Sequence, residues 1–160
     1  MKLRAFLESD WPRASMLFMS REVAKTYMLP DFESAEKARP LFDRLMNLSQ
    51  DGTRYVRAME ENGEFVGFLN DVEQEDGWIE VGYTVCPDAW GRGHATAALK
   101  LAIEDLFALG FSQVVAGAFL GNDASLRVME KAGMTPIEKQ DEIEYRGKVH
   151  TCVYRAVEKK

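Results

Sequence analysis

The chain has 160 residues, 46% hydrophobic and 29% charged, with a formal net charge of −6. That length and balance suit one domain, residues 1–160, with a sizeable core, and the acidic surplus argues against general nucleic-acid or membrane binding, which needs clustered Lys and Arg. Cys86 and Cys152 stand far apart outside any CxxC pattern and the histidines are only His94 and His150, so no disulfide framework and no metal site is expected, and a reducing cytoplasm is the simple inference.

In chain order, "MKLRAFLESDWP" meets charge too early for a signal peptide, and no later apolar run approaches transmembrane length. The pattern predicts a short strand over roughly Lys2 to Leu7, then a turn or cap at Ser9 and Asp10. Pro12 suits a first helical turn, and a helical stretch follows to about Met28, broken by "LPDF". A second helix is expected from near Ser34, a cap residue, to about Leu48. "TRYVRAME" and "EFVGFLNDV" flank "ENGE" as a hairpin. "DVEQEDG" reads as a second turn and "WIEVGYTV" as the next strand. After a glycine loop comes an amphipathic helix, then the strand "SQVVAGAF". The helix "DASLRVMEKAG" stops at Gly133, and "EIEYRGKVHTCVYRAV" closes as a hairpin turning at Arg146-Gly147. The order is mixed α/β.

The stretch "CPDAWGRGHATAALKLAIEDLF" carries the chemistry. Ala95, Ala98, Leu99, Ala102, Ile103 and Leu106 recur at helical spacing, so the helix begins near Gly93, directly after a strand. Its N-terminus exposes unpaired backbone N–H groups and the positive end of the dipole. Gly91 and Gly93 let an anion approach those groups, and Arg92 adds charge. This reads as an oxyanion or phosphate cradle. A plain helix-opening turn that uses glycine is the alternative. The nucleotide motifs do not fit. A Walker loop needs Lys and Ser/Thr where His94 and Ala95 stand, and a dinucleotide fingerprint needs Gly or Ala where Thr96 stands.

"VGYTVCPDAWGRGHATAALKLAIEDLFALGFSQV", followed by "GNDASLRVMEKAGM", resembles the GNAT superfamily of acyl-coenzyme A N-acyltransferases, and most nearly its ribosomal-protein alanine N-acetyltransferase branch. The opening "LRAFLESDW" and closing "YRGKVHTCVYRAV" are similar too, so the likeness covers nearly the whole chain. The loop pattern is Q/R-x-x-G-x-G/A. Gly93 and Ala95 fit it, and Trp90 replaces its first residue, as in that branch. The resemblance implies a central mixed, mostly antiparallel twisted sheet, splayed in the middle and flanked by about four helices. It also implies acetyl-coenzyme A as co-substrate with no metal, an amine acceptor, EC class 2.3.1 and a homodimer as a family expectation. The pyrophosphate would meet backbone N–H groups from Gly91 through Arg92, Gly93, His94 and Ala95 to Thr96. The pantetheine arm would lie along Thr84 and Val85, with Pro87 ending that strand where it diverges from its neighbour. Asn122 matches a coenzyme- or substrate-contacting position, and equally reads as a helix cap.

Acyl transfer to an amine needs a proton acceptor and benefits from a donor to the leaving thiolate. Glu80 is the candidate base. Alternation sets Trp78, Glu80, Gly82 and Thr84 on one strand face and Ile79, Val81, Tyr83 and Val85 on the other. An exposed strand carboxylate is the competing reading. The family's usual acid is a tyrosine at the position of Met129, which has no proton to give. Ser125 is therefore the candidate donor, against a first-turn hydroxyl that bonds backbone, and Tyr83 is the fallback. Arg127 and Lys131 could meet coenzyme phosphates or stay solvated, and the acidic "NDVEQEDG" turn could attract a cationic peptide or simply be solvated surface. Tyr27, Met28, Phe32 and Phe42 fall in segments that line the family's acceptor site, though core packing serves them as well. The acceptor is a peptide N-terminal α-amine on the branch resemblance, or alternatively a small amine such as a polyamine, amino acid or antibiotic. A non-catalytic acyl-coenzyme A-binding module and a nucleotide-binding protein are the competing classes.

Overall fold

Residues 1–160 are described by a computed structural model. The elements are β1 (Lys2–Arg4), α1 (Trp11–Phe18), α2 (Arg21–Ala24), α3 (Ala35–Leu48), β2 (Val56–Glu61), β3 (Glu64–Glu75), β4 (Trp78–Val85), α4 (His94–Ala108), β5 (Gln113–Phe119), α5 (Asp123–Lys131), β6 (Thr135–Tyr145) and β7 (Lys148–Glu158). One seven-stranded sheet runs in the order β1-β2-β3-β4-β5-β7-β6. Every neighbouring pair is antiparallel except β4 and β5. The splayed, mostly antiparallel sheet matches expectation, and five helices stand where about four were expected.

The extra helix comes from Ser20. Its Oγ accepts the Val23 N–H at 3.2 Å and starts α2 afresh, so the stretch expected to be helical to Met28 is two short helices. Ser34 caps α3 as expected, accepting from Lys37 N–H at 3.3 Å. Asp10 does not cap α1. Its carboxylate takes the Leu7 N–H and both terminal nitrogens of Arg4, which closes the strand-to-helix corner. The "DVEQEDG" stretch is strand up to Glu75, paired with Trp78, and only Asp76-Gly77 turn. Asp-Gly suits a two-residue hairpin, and ladder hydrogen bonds form whatever polar side chains the strand carries.

Helices cover both sheet faces. On one, Phe6, Phe42 and Phe68 pack with Leu17 of α1 and Ala38 of α3. Each such ring contributes about 1.5–3 kcal/mol by leaving water. On the other, Leu99, Ala102 and Leu106 of α4 and Met129 of α5 pack on Ile79, Val81 and Val114.

The sheet opens at its centre. β4 pairs with β3 from Trp78–Glu75 to Val85–Gly67. With β5 it pairs only at Trp78–Gln113, Ile79–Val114 and Glu80–Val115, while β5 stays paired with β7 through Phe119. The strands therefore part after Glu80, well before Pro87, where the divergence was expected. Pro87 instead opens a short turn, Pro87–Ala89, leading to the glycine loop.

A clasp joins the last hairpin to the segment after α2. Tyr145 Oη donates to the Ala24 carbonyl at 2.6 Å and accepts from Leu29 N–H at 3.1 Å. Arg146 bonds Asp31 at 2.5 Å and the Leu29 carbonyl at 3.0 Å. The β6–β7 turn is thereby tied to the segment between α2 and α3.

Candidate active site

Gly93 caps α4 in the left-handed region, φ 77°, with no side-chain cap. Gly91 shares that φ. No backbone N–H from Gly91 to Thr96 finds an acceptor in the protein, since the first bond of the helix is Ala97 N–H to the Gly93 carbonyl. A Cβ at Gly93 would meet nothing within 4 Å, so the donors open onto free space rather than packed atoms. This is a ready anion cradle.

The space is a cleft of about 700 Å³ between the ends of α4 and α5. Thr84, Val85, Gly91, Gly93, His94, Ala95 and Thr96 line one side, and Asn122, Ser125, Arg127 and Lys131 the other. Of the expected loop residues only Arg92 is absent from the lining, its side chain being exposed to solvent. Arg127 and Lys131 instead bring cationic side chains into a cleft of an otherwise acidic protein. His94 Nδ1 lies 3.9 Å from Glu61 Oε2, a neighbour from β2 that the sequence could not reveal.

The parted edge of β4 forms the cleft wall. Cys86 N–H bonds the Val66 carbonyl at 2.8 Å, so by strand alternation the groups of Val85 and Tyr83 point the other way, into the gap. Trp90 confirms that side, its indole N–H reaching the Val85 carbonyl at 2.8 Å. The Thr84 carbonyl faces β3, where an added Cβ on Gly67 would stand 2.3 Å from it. With the Val85 carbonyl taken by Trp90, the backbone groups free to meet a ligand are the Val85 N–H and those of Tyr83, and Thr84 offers its side-chain face instead.

Ser125 and Tyr83, alternatives by sequence, touch. Tyr83 Oη lies 2.8 Å from Ser125 Oγ and 3.2 Å from the Ser125 carbonyl. The serine hydroxyl thus meets a phenol, not the helix backbone. Burial pushes the Tyr83 phenol up to about 12, so it stays protonated at neutral pH. Asn122 is the cap of α5, its Oδ1 accepting from Ser125 N–H at 3.2 Å, and it also lines the cleft. Met129, at the tyrosine position, is fully buried in the core.

Glu80 does not line this cleft. It sits where β4 and β5 part, on the face away from α4, and is buried rather than exposed. Burial raises its pKa above the usual carboxylate range. Lys139, 3.8 Å away, opposes that rise, and Glu73 and Asp141 add to it. Tyr27 lies on the same face, bonding Asn70 at 2.8 Å near Gly82. Met28 is exposed, Phe32 packs at the core edge and Phe42 is fully buried. Trp90 stood out as the loop's first residue, but its bond to Val85 and the contributions of Lys139 and Glu61 left no mark in the sequence, because each depends on a partner elsewhere.

A parallel strand pair that opens beside an uncapped helix N-terminus sets an anion cradle next to a free strand edge, as the resemblance to acyl-coenzyme A transferases implies. Residues 1–135 match the family model "Acetyltransferase (GNAT) domain". The chain belongs to this family and is a GNAT N-acetyltransferase. It is 29% identical over 136 residues to the uncharacterized N-acetyltransferase YoaA of Bacillus subtilis (strain 168), covering 82% of this chain and 77% of that one. Among solved structures it resembles a Salmonella typhimurium acetyl transferase that modifies the N-terminal serine of a 50S ribosomal subunit protein, with TM-score 0.83, 20% identity and 99% and 94% of the two chains covered. It also resembles a Vibrio cholerae spermidine N-acetyltransferase in complex with CoA and spermine, with TM-score 0.80, 16% identity and 98% and 94% covered. Enzymes of this family use acetyl-CoA. No helix here is long and apolar enough to cross a membrane.

Proposed function

We propose that this N-acetyltransferase acetylates the α-amine of a protein or peptide N-terminus, by direct attack with both substrates bound. The observation that carries the site reading is the cleft where the unpaired N–H groups of Gly91 to Thr96 face Arg127 and Lys131. Those donors fit a pyrophosphate. Acetyl-CoA, when bound, supplies the acetyl thioester. The N–H groups of Gly91, Arg92, Gly93, His94, Ala95 and Thr96 would hold its phosphates, and the backbone of Tyr83 with the Val85 N–H would orient the arm along β4. Asn122 holds the opposite wall by capping α5.

Proton movement falls to residues on either side of the opening. Glu80 is the base that takes the acceptor's proton, directly or through water, and its raised pKa brings it nearer the operating pH. Ser125 Oγ donates toward the leaving sulfur, and Tyr83 supports it with its own phenolic proton. The acceptor enters from the face that carries Glu80 and Tyr27. The α-amine reading is supported by the likeness to the ribosomal-protein branch in "CPDAWGRGHA" and "NDAS". An acetyl-CoA consumption screen tests it with peptides beginning Ala, Ser and Thr beside polyamines, amino acids and aminoglycosides. Peptides should turn over with the higher kcat/KM, and turnover of polyamines alone would replace the α-amine reading by the small-amine one.

A further inference from the structure

Glu80 and Lys139 meet in an unusual way. β6 slips register between Pro136, opposite Arg155, and Gln140, opposite Val153. Ile137, Glu138 and Lys139 thus face Tyr154 alone, a bulge that lifts this stretch out of the ladder. From it Lys139 reaches back over the sheet. Its Nζ stands 4.5 Å from the Tyr154 ring centre and 5.6 Å from that of Trp78. It ends 3.8 Å from Glu80 Oε1, beyond hydrogen-bond reach. The two aromatic faces hold the ammonium by cation–π attraction, which needs none of its protons. No side chain or backbone group hydrogen-bonds the Glu80 carboxylate.

We propose that Lys139 is a positioning residue for Glu80: it keeps the carboxylate ionised by charge alone and leaves both oxygens free to take the acceptor's proton. The proposal rests on reading Glu80 as the base. A lysine in direct contact would take one of the carboxylate's lone-pair sites and lower its basicity further. A niche with no cation would leave a buried carboxylate beside Glu73 of β3 and Asp141 of β6, which together favour protonation. From β7, Cys152 and Tyr154 face the same carboxylate, and burial pushes both their pKa values up, so they stay neutral and supply no compensating charge. Lys139 is therefore the one cation that opposes burial at Glu80.

The test titrates the Glu80 side-chain carboxyl by carbon NMR in the full chain, beside pH profiles of kcat/KM with an acceptor that turns over. Lys139→Met keeps bulk against Trp78 and Tyr154 and removes the charge. It should raise the Glu80 midpoint by about one pH unit or more. The acid limb of the rate profile should move by the same amount, while the high-pH plateau stays. Lys139→Arg should restore both. Should Lys139→Met fold poorly, Lys139→Gln gives the same readout. An unmoved midpoint overturns the proposal, and so does a lowered plateau with an unmoved limb, the mark of packing alone. A midpoint that moves while the rate profile does not also overturns it, and by that combination shows that the fault lies in Glu80 as base.

Discussion

The two edges of β4 are built from the same eight residues and behave oppositely. Toward β3 the ladder runs from Trp78 to Val85, and the strands come so close that Gly67 has no room for a side chain. Toward β5 it stops at Glu80, and the backbone groups of Tyr83 and the Val85 N–H are left to the cleft. Side-chain pattern cannot tell the edges apart, since alternation sorts faces and not edges. The difference comes from β5, which follows β7 away from β4. One edge holds the fold together, and the other keeps backbone donors and acceptors available for a ligand.

The comparison is tested most severely at the point of parting. Glu80→Gln should lower turnover by roughly one to three orders of magnitude with coenzyme affinity kept. The same change should raise stability at neutral pH. A carboxyl whose folded pKa is raised favours the folded state below its unfolded pKa, and loses that contribution as pH rises through the folded value. Glutamine cannot ionise and so escapes the loss. Initial rates across pH and paired melting curves check both halves, and equal activity of variant and parent at every pH would remove Glu80 from the chemistry.

On the open edge, Gly93→Val should weaken acetyl-CoA binding about tenfold or more, since a branched side chain strains φ 77° and projects into the cradle. Calorimetry on the folded variant measures this, and unchanged affinity would take the loop out of the site. Ser125→Ala should lower kcat roughly three- to tenfold, the worth of one hydrogen bond, with affinity nearly intact. Its melting temperature should hardly move, because the Asn122 cap uses the Ser125 backbone N–H. Tyr83→Phe should cost a similar factor, and the double variant little more, since the hydroxyls act as a pair. Full additivity in kcat would show that they work separately. On the closed edge, Gly67→Ala should cost about 1–3 kcal/mol of stability by overpacking, with the least effect on kcat. A Gly67→Ala variant that melts normally but binds coenzyme poorly would mean that the edges are coupled.

Much of this arrangement was legible in the sequence. The glycine loop, its helix and Asn122 gave the cradle, because a helix N-terminus is a local structure with local signals. The expected break at Pro87 was displaced because strand separation depends on β5 and β7, far along the chain. Glu80 could be placed on a face from alternation, yet the cation that opposes its burial, Lys139, reaches it from a bulge in β6 more than fifty residues away. Ser125 and Tyr83 read as rivals because they are 42 residues apart, and only packing makes them partners. The "VEQE" run of β3 hid its strand behind polar side chains, while Asp76-Gly77 marked the true turn.

The strand order carries a consequence for how the molecule assembles during synthesis. β7 lies inside the sheet and β6, made earlier, lies at its rim. While residues 148–158 are still inside the ribosome, the edge of β5 that β7 will cover stands bare, a template for misplaced pairing with other chains. Sheet completion and the knot of Tyr145 and Arg146 onto residues 24–31 must therefore come late, joining parts more than a hundred positions apart. Nascent chains stalled before that stretch should be the sticky ones.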